Sequence, residues 1–310
     1  MIHDRPETVE ERDDDRRPTV AVLVVNFRTA GSVERLLRSI AAHAGLARIT
    51  VSVTDNSTDF GQLAELRAVA DRLAGSFEAI RITDAETNSG YARGNNLAWG
   101  AIPEPRPDVV VVANPDVVVD RGSLAALADR VISGGTTVWS VCTFSDRRQG
   151  NGQSRLDPFT GMTRRARAQA RQRSLQYVGG HFLAMSRETW EAAGGFAECY
   201  FLYCEELDLA LRLHELGDKK GPMAMSDFAV THVGGESTGH DARKASSIGT
   251  FHANRSRVIL YRRHKRLCAY LPILICSRFA YVLTLAVRGR NQQARSVVAG
   301  LWSGLRSPVS

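Results

Sequence analysis

The sequence predicts an α/β fold: a mostly parallel central sheet flanked by helices, followed by a helical, basic C-terminal tail. Three observations carry this reading. Runs such as Thr19–Phe27 and Val109–Ala113 are apolar without alternation, as strands buried on both faces of a parallel sheet must be. Stretches with apolar residues at helical spacing alternate with them, the signature of βαβ units. Polar residues gather where the strands end, the edge at which such sheets hold ligands.

In chain order, Thr19–Phe27 is the first strand. Residues 32–43 follow as a helix, with apolar positions at 33, 36, 37, 40 and 41 and Ser32 as its N-cap. Ile49–Thr54 is a second strand that runs into Asp55-Asn56-Ser57. Gln62–Leu73 reads as a helix, Ala79–Thr83 as a short strand and Ala92–Gly100 as a helix entered from a glycine-containing loop. Val109–Ala113 is another buried strand and ends in Asn114-Pro115-Asp116. Beyond Arg121 the pattern loosens. A helix at Arg187–Ala193, a Gly194-Gly195 turn, a helix opening near Glu205 with Leu207, Ala210, Leu211 and Leu213 inward, and a glycine-rich loop over Val230–Gly239 are the clear features.

The chain has 310 residues, 44% hydrophobic and 24% charged, the balance of an ordinary globular protein and not of a disordered, collagen-like or disulfide-scaffold chain. It divides into an acidic leader over 1–17, a regularly patterned half over 18–120, a looser half over 121–241 and a basic-apolar helical tail over 242–310. The leader holds seven acids and four arginines, and lacks the apolar stretch of a secretory signal. The five cysteines at 142, 199, 204, 268 and 276 show no metal-ligand spacing, which suits a reducing cytoplasm.

A net charge of +7 raises nucleic acid or an anionic membrane as a partner. The last acid is Asp241. Residues 242–310 carry 13 Lys and Arg and no acid, so the first 241 residues carry a net −6. Within the tail, Leu267–Val287 is almost wholly apolar, broken by Ser277 and Arg278 and flanked by Arg262, Arg263, Lys265, Arg266, Arg288 and Arg290. A central arginine opposes a membrane span. A segment lying in the headgroup plane of an anionic membrane fits best, with a core helix as the alternative. Eight arginines and one acid lie between Arg147 and Arg173, but Phe159 is the only aromatic there, so base stacking is poorly served and nucleic acid is not expected. No GxGxxG follows Phe27, which sets aside a dinucleotide-dependent oxidoreductase.

Two acidic groupings carry chemistry. Asn114 and Asp116 offer two oxygen ligands at a strand end, suited to a hard divalent cation that bridges phosphates, although Asn-Pro-Asp is also good turn chemistry. Glu205, Glu206 and Asp208 crowd a helix start beside Tyr200, Phe201 and Tyr203. The helix dipole accounts for one or two acids there; three beside aromatic rings also suit a general base of raised pKa.

Together with Asn88-Ser89-Gly90-Tyr91-Ala92-Arg93-Gly94-Asn95-Asn96, Gly179-Gly180, Gly194-Gly195-Phe196, Tyr200–Leu213 and His232, these motifs resemble inverting family-2 glycosyltransferases of the Rossmann-like GT-A fold. The rhamnosyltransferase-like bacterial branch that builds on lipid-linked acceptors is nearest. The resemblance covers about residues 19–240. It implies nucleotide-sugar binding for the 18–120 half, acceptor binding with catalysis for the 121–241 half, and a set of residue roles. Asn26, Asp55, Asn56, Ser57, Asn88, Gly90, Arg93, Asn96 and Asn114 would bind the donor, a UDP- or dTDP-sugar. Asp116 and His232 would carry a divalent cation, Mg²⁺ or Mn²⁺. Glu206 would be the base, with Glu205 as the alternative and Asp208 in support; Glu206 departs from the family's Glu-Asp pair by one methylene.

The expected reaction moves a hexosyl or deoxyhexosyl group to a hydroxyl of a lipid-linked saccharide. The expected place is the cytoplasm, peripheral on the inner face of the plasma membrane. A soluble or phosphoglycolipid natural-product intermediate is the alternative acceptor. A non-enzymatic basic membrane- or nucleic-acid-binding protein is the distant alternative.

Overall fold

The structure is a computed structural model that describes residues 17–135, 137–145, 148–165, 175–218, 221–233 and 247–309. The acidic leader, apart from Arg17, much of the arginine-rich stretch and the Gly234–Gly239 part of the expected loop lie outside the described residues.

The first half follows the sequence closely. The strands β1 (Thr19–Asn26), β2 (Arg48–Asp55), β3 (Ala79–Asp84) and β4 (Val109–Ala113) alternate with the helices α1 (Ala30–Ala42), α2 (Phe60–Leu73) and α3 (Gly90–Gly100). β1 pairs in parallel with β2 and β4, and β2 with β3. Ser32 is not the cap of α1. Asn26 Oδ1 accepts from the backbone N–H and the hydroxyl of Thr29, each at 3.0 Å, which turns the chain at the strand end and starts the helix at Ala30. Ser32 is then buried in the first turn. Asp59 caps α2 through the N–H groups of Gly61 and Gln62.

The loosened second half is richer in strands than its sequence suggests. β5 (Val117–Arg121), α4 (Leu124–Gly134), β6 (Trp139–Ser145), β7 (Arg148–Gly150), β8 (Gln153–Leu156), β9 (Thr163–Arg165), β10 (Leu175–Val178), β11 (Phe182–Ser186), α5 (Arg187–Ala193), α6 (Glu205–Glu215) and β12 (Met223–His232) follow in order. Among the described residues the main sheet runs β3-β2-β1-β4-β11-β6-β12-β5, with β7 on β6, and a smaller sheet runs β10-β8-β9. Val230–His232, expected as loop, continue β12 because they pair with β5 on one side and β6 on the other.

Successive residues of β1 supply two cores. Val20, Val22 and Val24 pack toward α1, α2 and α4, and Ala21 and Leu23 toward α3, α5 and α6. Helix α6 is buried on two sides rather than one: Leu209 and Leu213 join the main-sheet core, while Leu207 and Leu211 pack with Leu156, Tyr177, Ile259 and Tyr261. The tail forms α7 (Ser247–Arg263), α8 (Lys265–Cys268), α9 (Leu271–Val287) and α10 (Asn291–Arg306). α10 packs on α7 through Val258, Ala294, Val297 and Leu301. Among the described residues, no helix is long and apolar enough to cross a membrane.

Candidate functional site

The ends of β1 and β2 bring together the residues expected to bind the donor. Register places Asn26 beside Asp55. Asn26 Nδ2 donates to Asp55 Oδ1 at 2.9 Å and to Ser57 Oγ at 3.1 Å, and the Ser57 N–H donates to Asp55 Oδ1 at 3.0 Å. Asn56 Nδ2 donates to the Gly90 carbonyl at 2.9 Å, and its Oδ1 accepts from Ser89 Oγ at 3.0 Å, which ties the loop before α3 to the strand end. All four of Asn26, Asp55, Asn56 and Ser57 are buried. Asn88 is exposed and accepts from the Gly90 N–H at 3.1 Å. Gly90 has φ +81°, and a Cβ there would strike the Phe201 backbone, so the loop closes only with glycine.

Arg93 and Asn96 stand apart from this group. Arg93 is exposed on the rim, 4.0 Å from Glu198. Asn96 uses both ends of its amide on the loop before α6: Nδ2 donates to Phe196 O at 2.8 Å and Glu198 Oε1 at 3.0 Å, and Oδ1 accepts from the Phe196 N–H at 3.0 Å. It is a clamp between α3 and that loop.

The cation pole forms where three strands meet. β12 pairs His232 with Val117, so His232 Nε2 comes to 3.3 Å from Asp116 Oδ1. β11 pairs Phe182 with Ala113, so the Asn114 N–H donates to His181 O at 2.9 Å. The His181 ring stacks on His232 with centroids 5.1 Å apart, and its Nε2 lies 2.8 Å from Thr143 Oγ1. Burial and the neighbouring His232 ring hold the His181 pKa down to about 4. Asp116 Oδ1 and Asn114 Oδ1 are both buried and accept no hydrogen bond; the His232 approach to Asp116 is a charge contact without hydrogen-bond alignment.

Two orphaned buried oxygens beside an imidazole are the donor set that a hard divalent cation completes. Among the described residues, no group of three or more His, Cys, Asp or Glu side chains gathers around a metal position. A cation here would therefore take Asp116, His232 and Asn114 from the protein and its other ligands from phosphate and water.

The carboxylate pole sits on the first turn of α6. Tyr203 and Cys204 both lie in the left-handed region, at φ 69° and 74°, so two strained residues aim that turn. Glu206 Oε1 accepts from the Gly180 N–H at 3.0 Å. A Cβ on Gly180 would stand 2.8 Å from that oxygen, so the approach needs glycine. Tyr91 donates its hydroxyl to Gly180 O at 2.8 Å and fixes the same peptide from the other side. Glu205 is buried, and its Oε2 has no hydrogen-bond partner. Burial, and then the charge of Glu206, push the Glu205 pKa well above the usual carboxylate range; burial raises that of Glu206 as well.

Asp208 does not join them. Its carboxylate is fully buried and accepts from Tyr200 Oη at 3.1 Å and Arg212 Nε at 2.7 Å, with Arg263 Nε at 3.1 Å and His264 Nε2 at 2.8 Å. Burial raises its pKa, but the His264 and Arg212 contacts outweigh that and hold it below its ordinary value. Asp208 ties the tail to α6. His181, Thr143 and Tyr91, which the structure brings against the candidate residues, were not singled out from the sequence. The signal was a lone histidine at the mouth of the apolar strand Phe182–Met185, directly after two glycines.

Comparison with known proteins agrees with this geometry. A family model described as glycosyltransferase like family 2 matches residues 18–245. N-acetylglucosaminyl-diphospho-decaprenol L-rhamnosyltransferase of Mycobacterium tuberculosis is 26% identical over 271 residues, covering 78% of this chain and 84% of the relative. Rhamnosyltransferase WbbL of Escherichia coli is 22% identical over 216 residues, covering 64% of this chain and 78% of the relative. Among solved structures, the mannosyltransferase PcManGT of Pyrobaculum calidifontis, in complex with GDP-Man and Mn²⁺, superposes with a TM-score of 0.55 at 15% identity, covering 95% of this chain and 89% of the other. The main sheet is the GT-A sheet.

Proposed function

Since the chain belongs to the glycosyltransferase-like family 2 and is a glycosyltransferase, we propose that it moves a rhamnosyl or related hexosyl group, with inversion, from a UDP- or dTDP-sugar to a hydroxyl of a lipid-diphosphate-linked saccharide. The acceptor class follows the named substrate of the mycobacterial relative.

One observation carries the mechanism. A single dipeptide, Gly180-His181, joins the two poles: the Gly180 N–H holds Glu206 Oε1, and the His181 ring stacks on His232 beside Asp116. A carboxylate and a cation position are thus fixed on either side of one peptide bond, as a single displacement at an anomeric carbon requires. Asn26, Asp55, Asn56 and Ser57 hold the nucleoside in a pre-bonded pocket. Glu206 takes the proton from the acceptor hydroxyl as the acceptor oxygen bonds to the anomeric carbon. The bond from that carbon to the diphosphate oxygen breaks, and nucleoside diphosphate leaves. Asp116, His232 and Asn114 would hold a divalent cation, which would neutralise the diphosphate charge. Glu205, buried behind Glu206, favours one shared proton over two charges and so helps keep Glu206 basic enough to act.

The tail supports a membrane-surface reading. On α9, Ile273, Phe279, Tyr281, Leu283 and Val287 are exposed, and Trp302 and Leu305 of α10 are exposed as well. Arg278, the residue that opposes a membrane span, folds inward: its Nη2 donates to Thr160 O at 3.4 Å and its guanidinium lies over the Tyr281 ring. An apolar face in a tail with no acid fits the surface of an anionic membrane on the side where the donor is made.

A panel of nucleotide sugars with Mg²⁺ or Mn²⁺ and a polyprenyl-diphosphate N-acetylglucosamine acceptor tests the reading. Thermal shift and nucleoside diphosphate release should single out one donor. No response to any donor would overturn it.

A further inference from the structure

The small sheet carries a feature that the donor and cation poles do not use. Register places Tyr177 of β10 opposite Ser154 of β8, and Ser154 opposite Arg165 of β9, so the three form one row across the sheet. The next row on the same face is Leu175, Leu156 and Thr163, and Leu156 is buried against α6 and α7. This face therefore looks toward the catalytic helix, while Arg155 and Arg164 oppose each other on the other face.

Tyr177 stands at the Glu206 end of the row. Burial and the Glu206 charge raise the pKa of its phenol. Arg165 stands at the far end, two strand spacings or about 10 Å away. Its Nη2 donates to Ser145 Oγ at 3.3 Å, at the end of the strand whose Thr143 holds His181. Among the described residues Arg165 forms no ion pair. It is an exposed cation at one end of a row whose other end lies beside the base.

We propose that Arg165 is the anion-binding residue of the acceptor subsite, and that it takes the diphosphate of a lipid-diphosphate-linked sugar whose hydroxyl lies at Glu206. The inference rests on the acceptor class proposed above. One sugar ring separates the reacting hydroxyl from that diphosphate, which matches a row of about two strand spacings. Ser154, Thr163 and Tyr177 line the interval with hydroxyls that can bond the ring.

The test compares two acceptors with the wild-type enzyme, Arg165→Ala and Arg165→Lys: a short-chain polyprenyl-diphosphate N-acetylglucosamine and an alkyl N-acetylglucosaminide without phosphate. Arg155→Ala/Arg164→Ala serves as a control for charge alone. The expected result is a rise in KM of about 10- to 100-fold for the diphosphate acceptor in Arg165→Ala, the scale of one lost charged hydrogen bond. Arg165→Lys should recover part of this, while donor KM, KM for the alkyl glycoside and the Arg155/Arg164 control stay near wild type. A rise in donor KM would move the guanidinium to the donor diphosphate and overturn the proposal. An equal loss for both acceptors, or none, would overturn it too. If the wild-type enzyme gains nothing from the diphosphate, the acceptor class itself falls with the site.

Discussion

His264 Nε2 lies 2.8 Å from Asp208 Oδ1, so the residue that follows α7 reaches into the buried side of the helix that begins with Glu205 and Glu206. Arg263 Nε approaches the same oxygen at 3.1 Å, and Arg212 bonds the other while donating to Gly195 O at 2.8 Å. Helix α6 is thereby held between the C-terminal tail and the loop that α3 clamps. Three basic side chains converge on a carboxylate that water does not reach. Removing that carboxylate leaves the Arg212 and Arg263 charges uncompensated, at a cost of about 3–5 kcal/mol. Asp208→Asn should lower the unfolding free energy in denaturant by that amount. The folded pKa of Asp208 lies below its ordinary value of 3.8, so its contribution is complete above that value and is lost as pH falls through the folded one. Acid titration of the melting temperature should therefore be steeper in the wild type than in Asp208→Asn.

Glu206→Gln keeps the acceptor for the Gly180 N–H and removes the base. Transfer should fall by about 10²- to 10⁴-fold, the usual worth of a positioned general base, with the donor-induced thermal shift unchanged. Gly180→Ala should share this pattern, because its Cβ would meet Glu206 Oε1 at 2.8 Å and push the carboxylate off its peptide. A loss of donor binding in either variant would place Glu206 on the wrong substrate.

Glu205 gives a prediction of opposite sign. Its folded pKa is raised by burial and by Glu206, so the folded state holds a proton that the unfolded chain has released. Stability is then lost as pH rises from the unfolded value of about 4.5 toward the folded one. Glu205→Gln removes this loss. It should melt above the wild type at pH 8, and the difference should close below pH 4.5. A variant that melts lower at pH 8 would show that the Glu205 charge is satisfied in the native state.

How much of this was legible in the chain follows from range. β4 matched its expected residues, and β1–β3 fell within one residue at each end, because β-branched runs buried on both faces announce themselves locally. The strand character of Val230–His232 did not, since it depends on partners at Val117–Val119 and Thr143–Phe144 more than 80 residues away. The site divides in the same way. Asp55, Asp116 and Glu206 stand at ends of elements visible in the sequence. The stack of His181 on His232 and the tail contacts of Asp208 exist only once β11 lies on β4 and α7 ends behind α6. Asn96 reads as a donor contact because it is polar and near a glycine loop, but the loop from Phe196 to Glu198 captures its amide first.

The cation pole can be probed without turnover. In the presence of UDP or dTDP, Mn²⁺ titration followed by electron paramagnetic resonance should show one bound ion. Asp116→Ala should abolish it, since the variant loses one of two orphaned buried oxygens. His181→Ala removes no ligand but takes away the Thr143-anchored ring on which the His232 ring stacks. Affinity should fall by about 10- to 100-fold, the usual effect of losing a group that orients a metal ligand. Unchanged Mn²⁺ affinity in both variants would remove the cation from this pole.

The tail makes the last prediction. Leu283 and Val287 are 68% and 89% exposed, one turn apart on α9, and each would gain about 1.5–3 kcal/mol on entering an apolar phase. Cosedimentation with vesicles containing anionic phosphatidylglycerol should therefore drop at least about 100-fold in Leu283→Asp/Val287→Asp, which removes both gains and adds two repelled charges. Neither residue belongs to the buried set of α9, which is Leu274 and Leu285, so melting temperature should not move. Binding should also weaken with added salt, because the cations flanking the apolar face act through a screened field. Vesicle binding that survives the double substitution, or that is equal on neutral and anionic vesicles, would sink the membrane-surface reading. It would leave transfer to an acceptor presented without a bilayer untouched, because the two residues lie on the tail and not on the helix that carries Glu206.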